Sequence, residues 1–358
     1  MSFGLYLHIP YCLAKCRYCD FYSAPGSRGV PQAYVDALER EIAARCPGRP
    51  ATVYFGGGTP SLLTPAQAGR LVRAAHPLPG AEITLEANPE TLTPAALEGF
   101  LAAGVNRLSL GVQTASDESL ARLGRPHTAA QSAAALAAAR AAGFGNISGD
   151  IMLALPGYTR AEFDRTLALL AEGGAAHISA YLLKIEPGTP FGRRPPQGLP
   201  GDDAAADFYL YAVQQLQAAG FAQYEISNFA RPGFEGRHNL IYWDCRDYLG
   251  LGPAAHSCMG RKRFYWPGDT AAFIAHSAAP VADGGCTGED YIMLRLRLGA
   301  GLSLPLLKQR FGAQLAPKQL AFIKQCCAAG YAAFDGETLR LTPQGMIIQN
   351  TILAQLLA

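Results

Sequence analysis

Charge is scarce in this sequence. Only 16% of its 358 residues are Asp, Glu, Lys or Arg, and they leave a net charge of +2. Soluble domains usually carry about a quarter. There is no basic excess of the kind that gripping duplex nucleic acid or an anionic membrane surface would need. Long apolar runs are also missing, so no segment reads as a membrane span. The start, "MSFGLYLHIPYC", has no basic stretch and too short an apolar run for a secretory signal, and the cytoplasm is the expected compartment. There is no internal repeat. Nine cysteines, an odd number, in a long chain of a reducing compartment do not read as a disulfide framework. Cys46, Cys245, Cys258, Cys286, Cys326 and Cys327 are scattered and read as small buried hydrophobes.

Apolar residues are plentiful at 49%, enough for a large core. Short β-rich runs alternate with longer helical patterns through the first two thirds. The strand candidates are "LYLHI" (5–9), "TVYF" (52–55), "EITLEA" (82–87), "RLSLGV" (107–112), "ISGDIML" (147–153) and "HISAYLL" (177–183). Several of the helical runs between them open after Thr or Ser and stop at Gly. Strands alternating with helices predict an α/β fold with a parallel sheet. Six such units are too few to close an eight-stranded barrel, so a partial (β/α)6 barrel is expected over residues 1–220.

Residues 221–286 read as an aromatic, turn-rich connecting segment. Residues 287–358 read as three helices, a hairpin and a last helix, a winged-helix-like domain. That tail holds seven Lys or Arg against four Asp or Glu, without a basic stripe, so DNA is not its expected partner.

The strand ends carry unusual residues. The first runs into "CLAKCRYC" and the second into "GGGTP" (56–60). The third ends at Glu86 and Asn88, the fourth at Gln113, the fifth holds Asp150, and the sixth ends near Tyr181 and Glu186. Parallel barrels build their sites on this one face.

Cys12, Cys16 and Cys19 stand at C-x3-C-x2-C, with no fourth cysteine beside them. A structural zinc site closes with four protein ligands, and its usual second pair is missing. His8 and Asp20 nearby keep zinc open. A [4Fe–4S] cubane is normally held by thiolates. Three cysteines would leave its fourth iron free for another ligand.

At these residues the chain resembles the radical S-adenosylmethionine (SAM) proteins. The resemblance implies a cluster on Cys12, Cys16 and Cys19, with SAM at the open iron. "YLHIPYC", "GGGTPSLL", "EANPETL", "NRLSLGVQT", "LGRPHT", "DIMLALPG" and "IEPGTP" narrow it to the oxygen-independent coproporphyrinogen III oxidase-like group, over essentially the whole chain. By that likeness Tyr6, Tyr18, Gly57, Gly58, Thr59, Glu86, Gln113, Arg125 and Asp150 line the SAM site. Glu86 and Asp150 suit ribose hydroxyls, and Arg125 suits a carboxylate.

Within the group two features separate this chain from the oxidases. Phe21 stands where they carry a further cysteine, and only eleven residues precede Cys12. The string His238-Asn239-x-x-Tyr242-Trp243 resembles the hallmark of the heme chaperone (HemW) branch. That likeness implies His238 as a heme ligand, with His256 as a second candidate. It also implies delivery of heme to apo-hemoproteins of the respiratory chain. It leaves open a homodimer and peripheral association with a membrane. The alternative is an oxygen-independent coproporphyrinogen III oxidase (dehydrogenase), so enzymatic activity is an open expectation.

Overall fold

The computed structural model describes residues 3–357. Its first half alternates strand and helix. In order these are β1 (Gly4–Ile9), α1 (Gln32–Arg45), β2 (Thr52–Gly57), α2 (Pro65–Ala75), β3 (Glu82–Ala87) and α3 (Pro94–Ala102). Then come β4 (Arg107–Gln113), α4 (Asp117–Leu123), α5 (Ala129–Ala141), β5 (Ile147–Leu153), α6 (Arg160–Glu172) and β6 (His177–Leu182). Strands β1 to β6 pair parallel and in chain order. The expected six-unit partial barrel is the observed one.

Local chemistry explains the helix starts. Thr64 and Thr128 close capping boxes with Gln67 and Gln131, and Thr93 and Thr159 cap α3 and α6. Helix α4 was not separated by the sequence reading. Ser116 caps it and Gly124, at φ +75°, ends it.

Residues 221–286 do not lie outside the sheet. After α7 (Pro190–Arg193) and α8 (Asp202–Ala218), this stretch adds strands to both edges. β7 (Ala222–Glu225) and β8 (Asn228–Ala230) extend it beyond β6, with β8 antiparallel to β6. Helix α9 (Arg237–Trp243) follows. Then β9 (Tyr248–Leu251) pairs parallel to β1, with Gly4 opposite Tyr248. β10 (His256–Met259), β11 (Lys262–Tyr265) and, after α10 (Thr270–Ile274), β12 (Val281–Gly285) continue antiparallel. The result is one twelve-stranded sheet. Such edge pairing across most of the chain leaves no periodic trace in a local window.

The C-terminal unit has its own core around Tyr291, Leu296, Leu302, Leu307, Leu339 and Leu356. It comprises α11 (Gly288–Arg295), β13 (Leu302–Ser303), α12 (Leu304–Phe311), α13 (Pro317–Ala328), β14 (Ala332–Phe334), β15 (Thr338–Leu341), α14 (Pro343–Ile347) and α15 (Gln349–Leu356). The three helices and the hairpin stand where the sequence suggested. The last helix is broken at Ile348. This unit docks on the barrel through ion pairs from Arg297 to Glu225, 2.6 Å, and from Arg295 to Asp244.

Candidate functional site

A cleft of about 360 Å³ opens at the C-terminal ends of the parallel strands. Cys12, Cys16, Tyr18 and Cys19 line it from the loop after β1. Gly57, Gly58 and Thr59 line it after β2, with Glu86, Gln113, Arg125 and Asp150 from the next elements. Residues spread over 139 positions of sequence thus meet in one cavity, because parallel strands put all their C-terminal ends on one side.

The cysteine loop is held on several sides. Tyr11 bridges Ala24, Arg17 N–H donates to the Leu123 carbonyl at 3.0 Å, and Phe191 N–H donates to the Arg17 carbonyl at 2.9 Å. The glycine turn docks directly on it. Gly58 N–H donates to the Ile9 carbonyl at 2.8 Å, and Thr59 N–H to the Tyr11 carbonyl at 2.8 Å. A Cβ on Gly58 would stand 2.7 Å from the Tyr11 oxygen and 3.0 Å from the Cys12 sulfur. Glycine is required there by close approach.

His8 cannot complete a zinc site in this arrangement. Its Nε2 donates to the Tyr22 carbonyl at 3.0 Å, which leaves Nδ1 to accept from the Tyr6 hydroxyl at 3.0 Å. Burial pushes its pKa down to about 4, so it is neutral and fully engaged. With His8 engaged, three thiols and the Asp20 carboxylate line the cleft, and a thiolate set of this kind suits a cubane with one open iron.

Glu86 accepts from the Tyr54 hydroxyl at 2.8 Å and from Gly57 N–H at 3.1 Å. Burial nevertheless pushes its pKa up to about 7, with the nearby Asp150 charge adding to the rise. Asp150 accepts from the Ser109 hydroxyl at 2.9 Å, and burial raises its pKa too. The two carboxylates stand on β3 and β5, where hydroxyl groups of a ligand can reach both. Arg125 Nη1 donates to the Asn88 side-chain oxygen at 3.2 Å, while its Nε is buried without a partner. An orphaned guanidinium donor beside the cleft fits a carboxylate. The residues present therefore fit a cluster and SAM.

Tyr6 does not line the cleft. It lies behind the wall, stacked on Tyr54 at 6.1 Å and hydrogen-bonded to His8 Nδ1 at 3.0 Å. Tyr54, Ser109 and Ser179 line it and were missed. The available signal was period two on β4 and β5, which turns Ser109 to the same face as Gln113. Arg107 is also missed; it lines the cleft, is 2% exposed, and has a buried Nε without a partner.

His238 lies elsewhere. It sits on α9, which closes the opposite mouth of the barrel against the first residues of β2 and β3. Its ring bonds Thr52 Oγ1 at 2.7 Å through Nδ1 and the Tyr242 hydroxyl at 2.6 Å through Nε2. The Glu82 carboxylate accepts from Arg237 N–H at 3.0 Å and His238 N–H at 2.9 Å, capping the helix start. Tyr54 stacks on the imidazole at 5.0 Å. The histidine is 1% exposed, and burial depresses its pKa to about 3. Trp243 takes the Arg297 guanidinium over its ring at 4.5 Å. His256 is the first residue of β10, exposed and stacked on Tyr265 at 5.3 Å.

Comparison with known proteins identifies the family. The Radical SAM superfamily profile matches residues 6–170, and the HemN C-terminal domain profile matches 288–348. Coproporphyrinogen III oxidase (HemN) of Escherichia coli superposes with a TM-score of 0.83, over 99% of this chain and 90% of that one. At 24% identity this likeness speaks for the fold. Heme chaperone HemW of Escherichia coli is 43% identical over 71% of this chain and 69% of its own. Heme chaperone HemW of Mycobacterium tuberculosis is 37% identical over 99% of this chain and 95% of its own. A likeness that runs the length of both chains, through barrel and tail alike, makes this chain a member of the HemW family within the radical SAM superfamily.

Proposed function

We propose that this protein is a cytoplasmic heme chaperone: it holds a [4Fe–4S] cluster and SAM at the barrel mouth, carries heme, and passes it to apo-hemoproteins of the respiratory chain. Cys12, Cys16 and Cys19 would hold three irons. When bound, the cluster would supply an iron site left open by the three thiolates, available to SAM. Glu86 and Asp150 would accept from the ribose hydroxyls, and Arg125 would orient the carboxylate. Gly57, Gly58, Thr59, Tyr18 and Gln113 would shape the walls.

The observation that carries the heme reading is the rim of the cleft. Phe21, Tyr181 and Leu182 are 65%, 43% and 41% exposed there. Exposed aromatic and aliphatic side chains around one mouth mark a binding surface. Lys15 and Lys184 stand beside them, as propionate carboxylates would need. Phe21 occupies the position at which the resemblance places a further cysteine in the oxidases, and it puts an apolar side chain on the rim there. No helix among the described residues is long and apolar enough to cross a membrane.

His238 lies behind Tyr54 as seen from the cleft, and both of its ring nitrogens are engaged, by Thr52 and Tyr242. In our reading heme rests on the rim, and His238 reaches iron only after α9 leaves the barrel floor. Anaerobic heme titration of the cluster-reconstituted protein, followed at the Soret band, tests this. Phe21→Asp should weaken binding about tenfold, near the value of one buried Phe contact, while His238→Ala leaves it nearly unchanged. Loss of binding in a folded His238→Ala variant alone would move the iron to the floor. Absence of binding throughout, with turnover of coproporphyrinogen III, would replace the chaperone with the dehydrogenase.

A further inference from the structure

The cleft does not stop at the two carboxylates. Strand β4 turns Arg107, Ser109, Gly111 and Gln113 to one face, and all four line it. Its wall therefore follows β4 from end to end, about 20 Å at the usual rise per residue. Asn239, on α9, also lines it. Eight-stranded barrels fill this space with packed side chains. Here the interior stays open down to the floor helix.

Two buried polar side chains at the inner end lack partners. Arg107 is 2% exposed, its Nε bonds nothing among the described residues, and it enters no ion pair among them. Thr84 stands directly across from it on β3, is fully buried, and has an unpartnered hydroxyl. Period two puts Thr84 on the same face as Glu86, which lines the cleft. A Cβ on Gly236 would stand 3.7 Å from Arg107 Nη2 and 3.9 Å from Asn239 Nδ2. The two nitrogens face one spot, near enough for a single carboxylate to bridge. The Tyr224 hydroxyl beside them is already engaged. It accepts from Gly236 N–H at 3.1 Å and bonds His177 Nε2 at 2.7 Å.

We propose that Arg107, Thr84 and Asn239 form a second ligand site beneath the SAM site, one that takes a small monovalent carboxylate. A buried guanidinium is costly unless an anion meets it. Glu86 and Asp150 share the cavity and feel the charge of Arg107, yet neither pairs with it. Glu86 is taken by Tyr54 and Gly57, and Asp150 by Ser109. Water would satisfy the donors and leave the charge unmatched. The planar guanidinium matches the two oxygens of a carboxylate, and the Asn239 amide and Thr84 hydroxyl supply further donors. One positive charge in a cavity with two carboxylates disfavours a dianion such as hydrogen phosphate. The occupant touches both β4 and α9, so it ties the helix that carries His238 to the barrel wall.

The inference rests on SAM lying above, at Glu86 and Asp150, but its binding test uses neither SAM nor heme. Full-length, cluster-reconstituted protein is heated anaerobically in a bulky sulfonate buffer, with sodium acetate added at constant ionic strength. Acetate should raise the unfolding midpoint saturably, with a Kd of about 0.04 mM or weaker, the bound set by its few non-hydrogen atoms. Arg107→Met should abolish the shift, and Asn239→Ala should weaken binding about tenfold. Without acetate, Arg107→Met should be at least as stable as wild type, because it removes an unpaired buried charge. No shift in wild type, or an equal shift in Arg107→Met, would overturn the site. A less stable Arg107→Met would make the arginine a counter-ion of Glu86 and Asp150, and overturn it too. Hydrogen phosphate acting at lower concentration than acetate would overturn the carboxylate assignment. Competition between added SAM and acetate would give Arg107 to SAM and leave no second site.

Discussion

Replacing His238 with alanine separates a structural imidazole from a free one. The side chain makes two neutral hydrogen bonds, to Thr52 and Tyr242. Each contributes about 1 kcal/mol net, and a hydroxyl left without a partner in the floor costs about 1–3 kcal/mol more. A loss of about 3 kcal/mol at pH 7.5 is the expected total, allowing one of the two hydroxyls to find another partner. The pH dependence sharpens the test. The folded-state pKa is depressed to about 3, below an unfolded value of about 6.5. Below pH 6.5 the unfolded chain binds a proton that the fold refuses, so wild-type stability falls as pH drops toward 3. At pH 5 that penalty is about 2 kcal/mol. Alanine carries no such penalty. The variant's deficit should therefore shrink from about 3 to about 1 kcal/mol between pH 7.5 and pH 5. Denaturant unfolding of both proteins at the two pH values measures it, and His8 and His177, depressed in both, cancel in the difference. A deficit that stays constant or grows on acidification refutes the buried neutral histidine. A deficit under about 0.5 kcal/mol at pH 7.5 refutes its role in holding α9.

Three further outcomes are expected. SAM affinity, measured calorimetrically on reconstituted protein, should rise as pH increases through 7, because the Glu86 carboxylate is the acceptor and its pKa is about 7. Glu86→Gln should flatten that profile and weaken binding about tenfold, the value of one hydrogen bond to a charged group. Serine at Cys12, Cys16 or Cys19 should abolish cluster reconstitution by iron and sulfide analysis, while serine at Cys46 leaves it intact. Gly58→Ala should lower iron content without unfolding the barrel, since its Cβ meets the Tyr11 oxygen and the Cys12 sulfur rather than the core.

The parallel barrel was legible because each strand announces itself locally, as in "EITLEA" and "ISGDIML", which match β3 and β5 residue for residue. The mouth was legible because the cysteine spacing and the glycine turn are contiguous. The floor was not. Nothing near Glu82 in the sequence shows that its carboxylate caps a helix at Arg237, and nothing in "HNLIYW" says that the histidine faces Thr52. Local patterns report which way a side chain faces. They do not report which distant strand lies beside it.

The parallel pairing of β1 with β9 has a consequence for how the chain is made. β1 leads into the cysteine loop, and its inner neighbour β2 leaves the ribosome soon after it. Its other edge waits for Tyr248–Leu251. About 240 residues of synthesis separate the two, roughly 10–50 s at ordinary elongation rates. For that interval the strand that leads into the cysteine loop has one open edge, exposed to whatever pairs with edges. The nascent barrel is then a half-built cup, open on its β1 side until Tyr248–Leu251 arrives.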